Sequence, residues 1–224
     1  MASESNHPHS PLDLRDRLPR RLVQLFFGLV LYGASMALQI EATLGLDPWD
    51  VFHQGLAEKT GLSFGTIVII VGAAVLLLWI PLRQKPGIGT VSNIVLIGLA
   101  VDATLFLLPT PDALPVRITF LVLGILLNGV AGGLYIGARL GPGPRDGLMT
   151  GWVARRPGRS IRVTRTVIEL TVLGAGVLLG GTIGVGTVAY ALLIGPLNHL
   201  FIPLFAVRPS GPRLGPEPLP DPAT

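Results

Sequence analysis

Gly141-Pro142-Gly143-Pro144-Arg145-Asp146 repeats the skeleton of Gly45-Leu46-Asp47-Pro48-Trp49-Asp50, ninety-six positions earlier, as G-x-x-P-x-D. The likeness extends upstream. Aligned at that offset, residues 21–55 and 117–151 share 13 of 35 identities, among them Gly28/Gly124, Gly33/Gly129, Leu44/Leu140 and Gly55/Gly151. A second shared block, offset by ninety-seven, pairs Gly87-Ile88-Gly89-Thr90-Val91 with Gly184-Val185-Gly186-Thr187-Val188, and continues as Leu96-Ile97-Gly98 against Leu193-Ile194-Gly195. The chain is a tandem duplication.

Half of the 224 residues are hydrophobic and 13% are charged, too little polar surface for a soluble domain of this size. The class is all-α integral membrane. The net charge of +4 does not point to nucleic acid, because most arginines sit between apolar runs, where the positive-inside rule places them. With no cysteine there is no disulfide and no thiolate nucleophile or ligand. His7, His9, His53 and His199 are too scattered for a ligand cluster. Neither a metal nor a cofactor is expected.

Residues 1–20 read as a flexible cytoplasmic lead-in with an arginine cluster, and 207–224 as a flexible cytoplasmic tail. Between them lie two membrane repeats, 21–110 and 117–206. In the first, Leu22–Leu44 is long enough to cross a bilayer, which needs about 20 apolar residues. A cleaved leader is excluded as a reading of this run, because its counterpart recurs inside the chain as Ile118–Leu140. Val51–Gly61 follows as a short amphipathic stretch with Asp50 placed as N-cap. Phe64–Leu82 and Ile88–Leu108 make two more crossings. The second copy matches these with a short Gly147–Ala154 segment and crossings at Val163–Leu179 and Val185–Ala206.

Six crossings with the N-terminus inside leave only Lys59 and Arg117 of the seventeen basic residues on the outer side. Both termini are then cytoplasmic. Three crossings per copy is an odd number, so the two repeats are expected to be inverted. That topology puts Asp47 to Asp50 at the outer face and Gly143 to Asp146 at the inner one. Whether the short segments are interfacial or re-entrant stays open at this level.

The stretch Gly45 to Gly55, its echo from Gly141 to Met149, Arg165-Thr166-Val167-Ile168-Glu169, Gly184 to Thr187 and Leu193 to Pro196 together resemble the YczE branch of the bacterial YczE/YyaS/YitT membrane protein family. The resemblance spans roughly residues 20–206. It implies a multi-pass protein of the bacterial plasma membrane, and it brings no substrate with it.

Glycine and proline at the ends of the first and fourth crossings break the helix there, and broken helices in a membrane line a cavity or lie buried in protein. Asp47, Pro48, Asp50, Pro144, Arg145 and Asp146 are therefore candidates for solute binding, with a plain capped elbow as the alternative. Asp102, Glu169 and His199 are ionisable groups within crossings, which are costly unless paired or wetted. Asp102 and His199 hold equivalent places, which suggests either a coupling pair or two groups that sit near opposite interfaces. Glu169 stands at helical spacing from Arg165, as in an ordinary ion pair. Asn93, Asn128, Asn198 and Tyr190 suit either a shared cavity or inter-helix hydrogen bonding. Gly87-Ile88-Gly89 and Gly184-Val185-Gly186 read as turn or helix-start elements.

These features favour a solute transporter or permease-like protein, acting on an unknown small solute, over an enzyme. The alternatives are a scaffold or regulatory protein that contacts anionic lipid or a protein through the Arg139 to Arg165 loop, or a membrane subunit of a larger importer.

Overall fold

The computed structural model describes residues 17–155, 158 and 160–207. Most of both tails, and positions 156, 157 and 159 of the arginine-rich loop, lie outside the described residues. The described chain forms α1 (Leu18–Ala42), α2 (Pro48–Thr60), α3 (Phe64–Leu77), α4 (Trp79–Leu82), α5 (Ile88–Leu107), α6 (Leu114–Gly137), α7 (Pro144–Ala154), α8 (Ile161–Leu179) and α9 (Val185–Phe205). No strand occurs among the described residues. Five stretches are long and apolar enough to cross a membrane: α1, the nearly continuous α3–α4, α5, α6 and α9. The expected crossing at α8 is not among them. Arg162, Arg165 and Glu169 within its 19 residues explain why.

α1 and α6 form the central pair and run antiparallel, because Gly28 of α1 meets Ala131, Leu134 and Tyr135 while Gly124 of α6 meets Ser35 and Gln39. A Cβ on Gly28 or Gly124 would stand 2.9 Å from Leu134 Cβ or 2.6 Å from Gln39 Cγ, so glycine sets how closely the two backbones approach. α5 packs beside α1, and α9 beside α6. Leu25, Leu29, Met36, Ile97 and Val101 fill the seam around α1, and Leu121, Ile125 and Ile194 the one around α6. Phe106, Leu178, Leu192, Leu200 and Leu204 point outward. That outward apolar belt suits a protein bathed in lipid.

The ends of the central pair carry reciprocal contacts. Arg21, at the start of α1, donates from Nε to Ala138 O and from Nη2 to Arg139 O, both 2.9 Å. Arg117, at the start of α6, donates from Nε to Ala42 O at 2.9 Å and from Nη2 to Thr43 O at 3.0 Å. Donors and acceptors are each ninety-six positions apart. A planar guanidinium reaches two successive carbonyls at once, which a lysine ammonium does less well. Arg117, the outer-side exception in the charge count, is thus the counterpart of a buried cap.

Beyond these caps the chain reverses through Gly45 (φ 107°) and Gly141 (φ 131°), a conformation that favours glycine and explains the first letter of the shared motif. The last carbonyl before each reversal is again satisfied by the other half. Gly89 N–H donates to Leu140 O at 2.9 Å, and Gly186 N–H donates to Leu44 O at 2.7 Å. Thr90 and Thr187 accept from the amides of Gly87 and Gly184, both at 3.2 Å, and so fix the first turns of α5 and α9. The glycine-threonine blocks are therefore more than turns: they are the docking sites of the opposite elbow.

Helices α2 and α7 begin earlier than the sequence suggested, at Pro48 and Pro144. Proline suits the first helical position because its missing N–H would have no intrahelical partner there. The N-cap of α2 is Asp47, not Asp50: its Oδ1 accepts from Trp49 N–H at 2.8 Å and Asp50 N–H at 3.1 Å. Gly143 holds the equivalent place in α7 and has no side chain to cap with.

Replacement of Gly186 by alanine puts a Cβ against Gly45 O and within 2.9 Å of Leu121 Cδ1. Gly186→Ala should cost roughly 1–3 kcal/mol, the scale of overpacking. Gly195→Ala, where no atom lies within 4 Å of the added carbon, should be neutral or better. Thermal melting of the detergent-purified variants checks the difference.

Candidate functional site

Because the chain folds back after α1 and α6, the N-terminal ends of α2 and α7 converge between the halves. Arg145 Nη2 lies 3.5 Å from Asp50 Oδ1, and Nη1 lies 3.7 Å from Asp47 Oδ1. This corrects the expectation that the two elbows occupy opposite faces: their side chains touch. The guanidinium also stacks on Trp49, with Cζ 4.9 Å from the ring centroid. Trp49 and Arg145 are the same position of the shared motif, ninety-six residues apart.

Asp47, Asp50 and His53 are all buried. His53 Nδ1 lies 3.1 Å from Asp50 Oδ1. On α2, too short to span, burial raises both carboxyls above their usual range; Arg145 opposes that rise, and Asp50 adds to it at Asp47. Burial lowers His53 to about 3, which favours the neutral imidazole beside Asp50. Two buried carboxyl groups thus face one guanidinium. Across the site Tyr135 O–H donates to Asp146 Oδ2 at 3.0 Å.

A cavity of about 370 Å³ opens at this junction. Asp47, Pro48, Trp49 and His53 line it from the first elbow, and Gly143, Pro144, Arg145 and Asp146 from the second. Tyr32 and Asn128 of the central pair, Asn93 of α5, and Tyr190 and Asn198 of α9 complete a polar and aromatic wall. Asn128 also ties helices together, donating from Nδ2 to Ser35 Oγ at 2.9 Å and accepting from Tyr190 O–H at 3.0 Å. Trp49 Nε1 and Asn198 Oδ1 are buried without a hydrogen-bond partner among the described residues. Both residues line the cavity, but these two atoms are themselves enclosed by protein, Asn198 Oδ1 against Gly132 of α6.

The sequence candidates divide by place. Asp47, Pro48, Pro144, Arg145, Asp146 and Glu169 line the cavity, and Asp50 stands behind Asp47 as a partner of Arg145. Glu169 Oε1 accepts from Arg165 Nε at 2.8 Å, and both side chains border the cavity on α8. Asp102 lies elsewhere. It accepts from Ser63 O–H at 2.6 Å and Gly65 N–H at 2.7 Å at the start of α3. His199 sits exposed on α9 and is not paired with Asp102. Trp49, His53, Tyr32 and Tyr135 were not singled out from sequence. The only signal for the first two was membership of the quoted elbow.

A helical chain with several membrane-capable segments and a polar cavity between two elbows defines a multi-pass membrane protein. The chain matches, over residues 19–203, the family described as a family of unknown function, DUF6198, and belongs to it. It is 40% identical over 188 residues to an uncharacterized protein of Haemophilus influenzae, covering 84% of this chain and 86% of that one. It is 36% identical over 192 residues to the uncharacterized membrane protein YczE of Bacillus subtilis, covering 85% and 89%. To the uncharacterized protein YyaS of Bacillus subtilis it is 26% identical over 181 residues, covering 79% and 90%. The resemblance drawn from the motifs is thereby shown. No solved structure matches the chain.

Arg145→Gln leaves Asp47 and Asp50 buried without a countercharge and should destabilise the fold, by less than the ~3–5 kcal/mol of a fully buried pair because the guanidinium is partly exposed. The remaining carboxyls, with folded pKa raised further, are tolerated when protonated. The variant should therefore melt closer to wild type at about pH 5 than at about pH 8, stability falling as pH rises through the raised pKa. Asp50→Asn in the Arg145→Gln background should recover part of the loss at the higher pH. Thermal melts of the three proteins at both pH values check it.

Proposed function

We propose that this chain is a solute permease of the bacterial plasma membrane, built from two inverted three-helix repeats, with the elbow cavity as its solute site. The observation that carries the reading is the cavity itself: a polar, charged space where both halves contribute the same motif position, in a molecule whose outer surface is apolar. A scaffold has no use for such a space. Inversion is supported by the antiparallel central pair and by the reciprocal caps of Arg21 and Arg117. It requires α8 to cross as well, and α8 is 19 residues long, about 28 Å of helix.

The elbows fit solute handling for a physical reason. Backbone that leaves a helix inside a membrane is tolerated where it lines a cavity, and its free amides and carbonyls then serve a guest. α7 presents such amides, since Gly143 supplies no capping side chain. Arg145 is partly exposed and held only loosely by its two carboxylates, which leaves donors available to a solute. The chemistry of the wall, with both charge signs and four aromatic rings, suits a small polar molecule.

Purified protein in proteoliposomes, offered radiolabelled amino acids, organic acids and organic cations in turn, should show one saturable flux. Asp146→Asn, which removes a charge from the cavity lining and keeps the side chain's size, should lower that flux at least several-fold without loss of protein from the vesicles. Absence of flux across the panel, together with no solute raising the melting temperature, contradicts the reading.

A further inference from the structure

Two seams flank the cavity, and they differ. On one side α3 lies along α5: Gly65 and Gly98 pack backbone to backbone, Gly98 meets Ile69, and a Cβ on Gly72 would stand 3.1 Å from Ile94 Cγ1. Asp102 closes the end of this seam, bonding Ser63 O–H and Gly65 N–H of α3. Ninety-seven positions later the same elements are α8 and α9, with Ser160 in the place of Ser63, His199 in that of Asp102 and Gly195 in that of Gly98. There the seam is parted. α8 packs on α2 and makes no comparable contact with α9, and Gly195 has nothing within 4 Å of a would-be Cβ.

The parted seam is one wall of the cavity. Arg165 and Glu169 border it from α8, Gly195, Asn198 and Ile202 from α9. Where the closed seam has Val68 and Gly72, the open one has that ion pair, partly exposed. Gly195 is a small residue inside a helix where an added Cβ would meet no other element among the described residues, although glycine costs up to about 1 kcal/mol against alanine there. Its counterpart Gly98 shows what such a glycine is for: close approach of a facing helix. Pro196 and Pro203 interrupt the hydrogen-bond ladder of α9 and give it points at which to bend.

We propose that α3–α5 and α8–α9 are two gates on one cavity, with the first closed and the second open in this structure. Asp102 is the latch of the closed gate, and Ser160 and His199 hold the corresponding places in the open one. When the latch releases, α8 closes on α9 with Gly195 against Thr166, as Gly98 now packs against Ile69. Asp102 and His199 are thus related by role and never meet. The inference rests on the permease reading, for which it supplies the moving parts.

Thr166→Cys with Gly195→Cys tests it in a chain that has no cysteine of its own. Membrane vesicles are oxidised with copper phenanthroline, and intramolecular cross-linking is followed on gels. The pair should cross-link slowly with the latch intact. In the Asp102→Asn or Ser63→Ala background the rate should rise about tenfold, the shift expected when one charge-assisted hydrogen bond is lost. Asp112→Asn, at an exposed residue of the α5–α6 connection that takes no part in the latch, should leave it unchanged. Failure to cross-link in every background, or a rate indifferent to both latch variants in well-folded protein, overturns the gates. So does dimer formation through Gly195→Cys alone, since a second copy then covers the open seam. Because cross-linking reads helix approach without any solute, cross-linking without flux upholds the gates and removes the transport reading. Flux without cross-linking does the reverse.

Discussion

A helix that ends inside an apolar molecule leaves carbonyls with no water to satisfy them, and the arrangement of this protein follows from how those carbonyls are met. At the ends of α1 and α6 the donors come from the other half: the guanidinium forks of Arg117 and Arg21, then the amides of Gly186 and Gly89. Each donor has its counterpart at nearly the same offset. An unmade hydrogen bond of this kind costs about 1–3 kcal/mol. Neither half can meet that requirement alone, so the interface between halves is a condition of folding rather than a later association of two finished units.

The same reversal that creates the orphan carbonyls produces the site. With Gly45 and Gly141 in the left-handed region the chain turns back, and the helices that begin at Pro48 and Pro144 point their first turns at one another. Charge then decides the details. Asp47 and Asp50 are too buried to stand as free carboxylates, and Arg145 from the second half is the cation within reach. The duplicated motif has diverged here to complementary chemistry, Trp49 facing Arg145 and Asp47 answering Gly143. One half caps its own helix, and the other leaves its amides open.

Much of the architecture was legible. Apolar runs of membrane length located the long helices to within a few residues, because nothing else in the chain competes with them. G-x-x-P-x-D marked the elbows through the two residue types whose backbone preferences leave little choice. What the repeat did not carry was depth. Identity at matched positions shows that two segments are equivalent, yet says nothing of how far each folds back, so the elbows were placed at opposite faces although they touch. Arg117 looked like an exception to a charge count because a count does not distinguish a solvated arginine from a helix cap. Asp102 and His199 hold equivalent places in the two halves, and equivalence does not entail proximity. The aromatic residues of the cavity, Tyr32 and Tyr135 among them, carry no spacing that separates a cavity wall from an ordinary helix interface.

The claim on which the rest depends is that the second half is the first turned over, so that corresponding turns lie on opposite sides of the membrane. Single cysteines at Thr60, Thr182, Lys85 and Arg155, all exposed ends of helices or turns, test it in intact cells with an impermeant maleimide. Inversion requires labelling at Thr60→Cys and Thr182→Cys, and none at Lys85→Cys or Arg155→Cys until the cells are opened. Equal labelling at Thr60→Cys and Arg155→Cys, the turns that close α2 and α7, would place the two halves in the same orientation and contradict it.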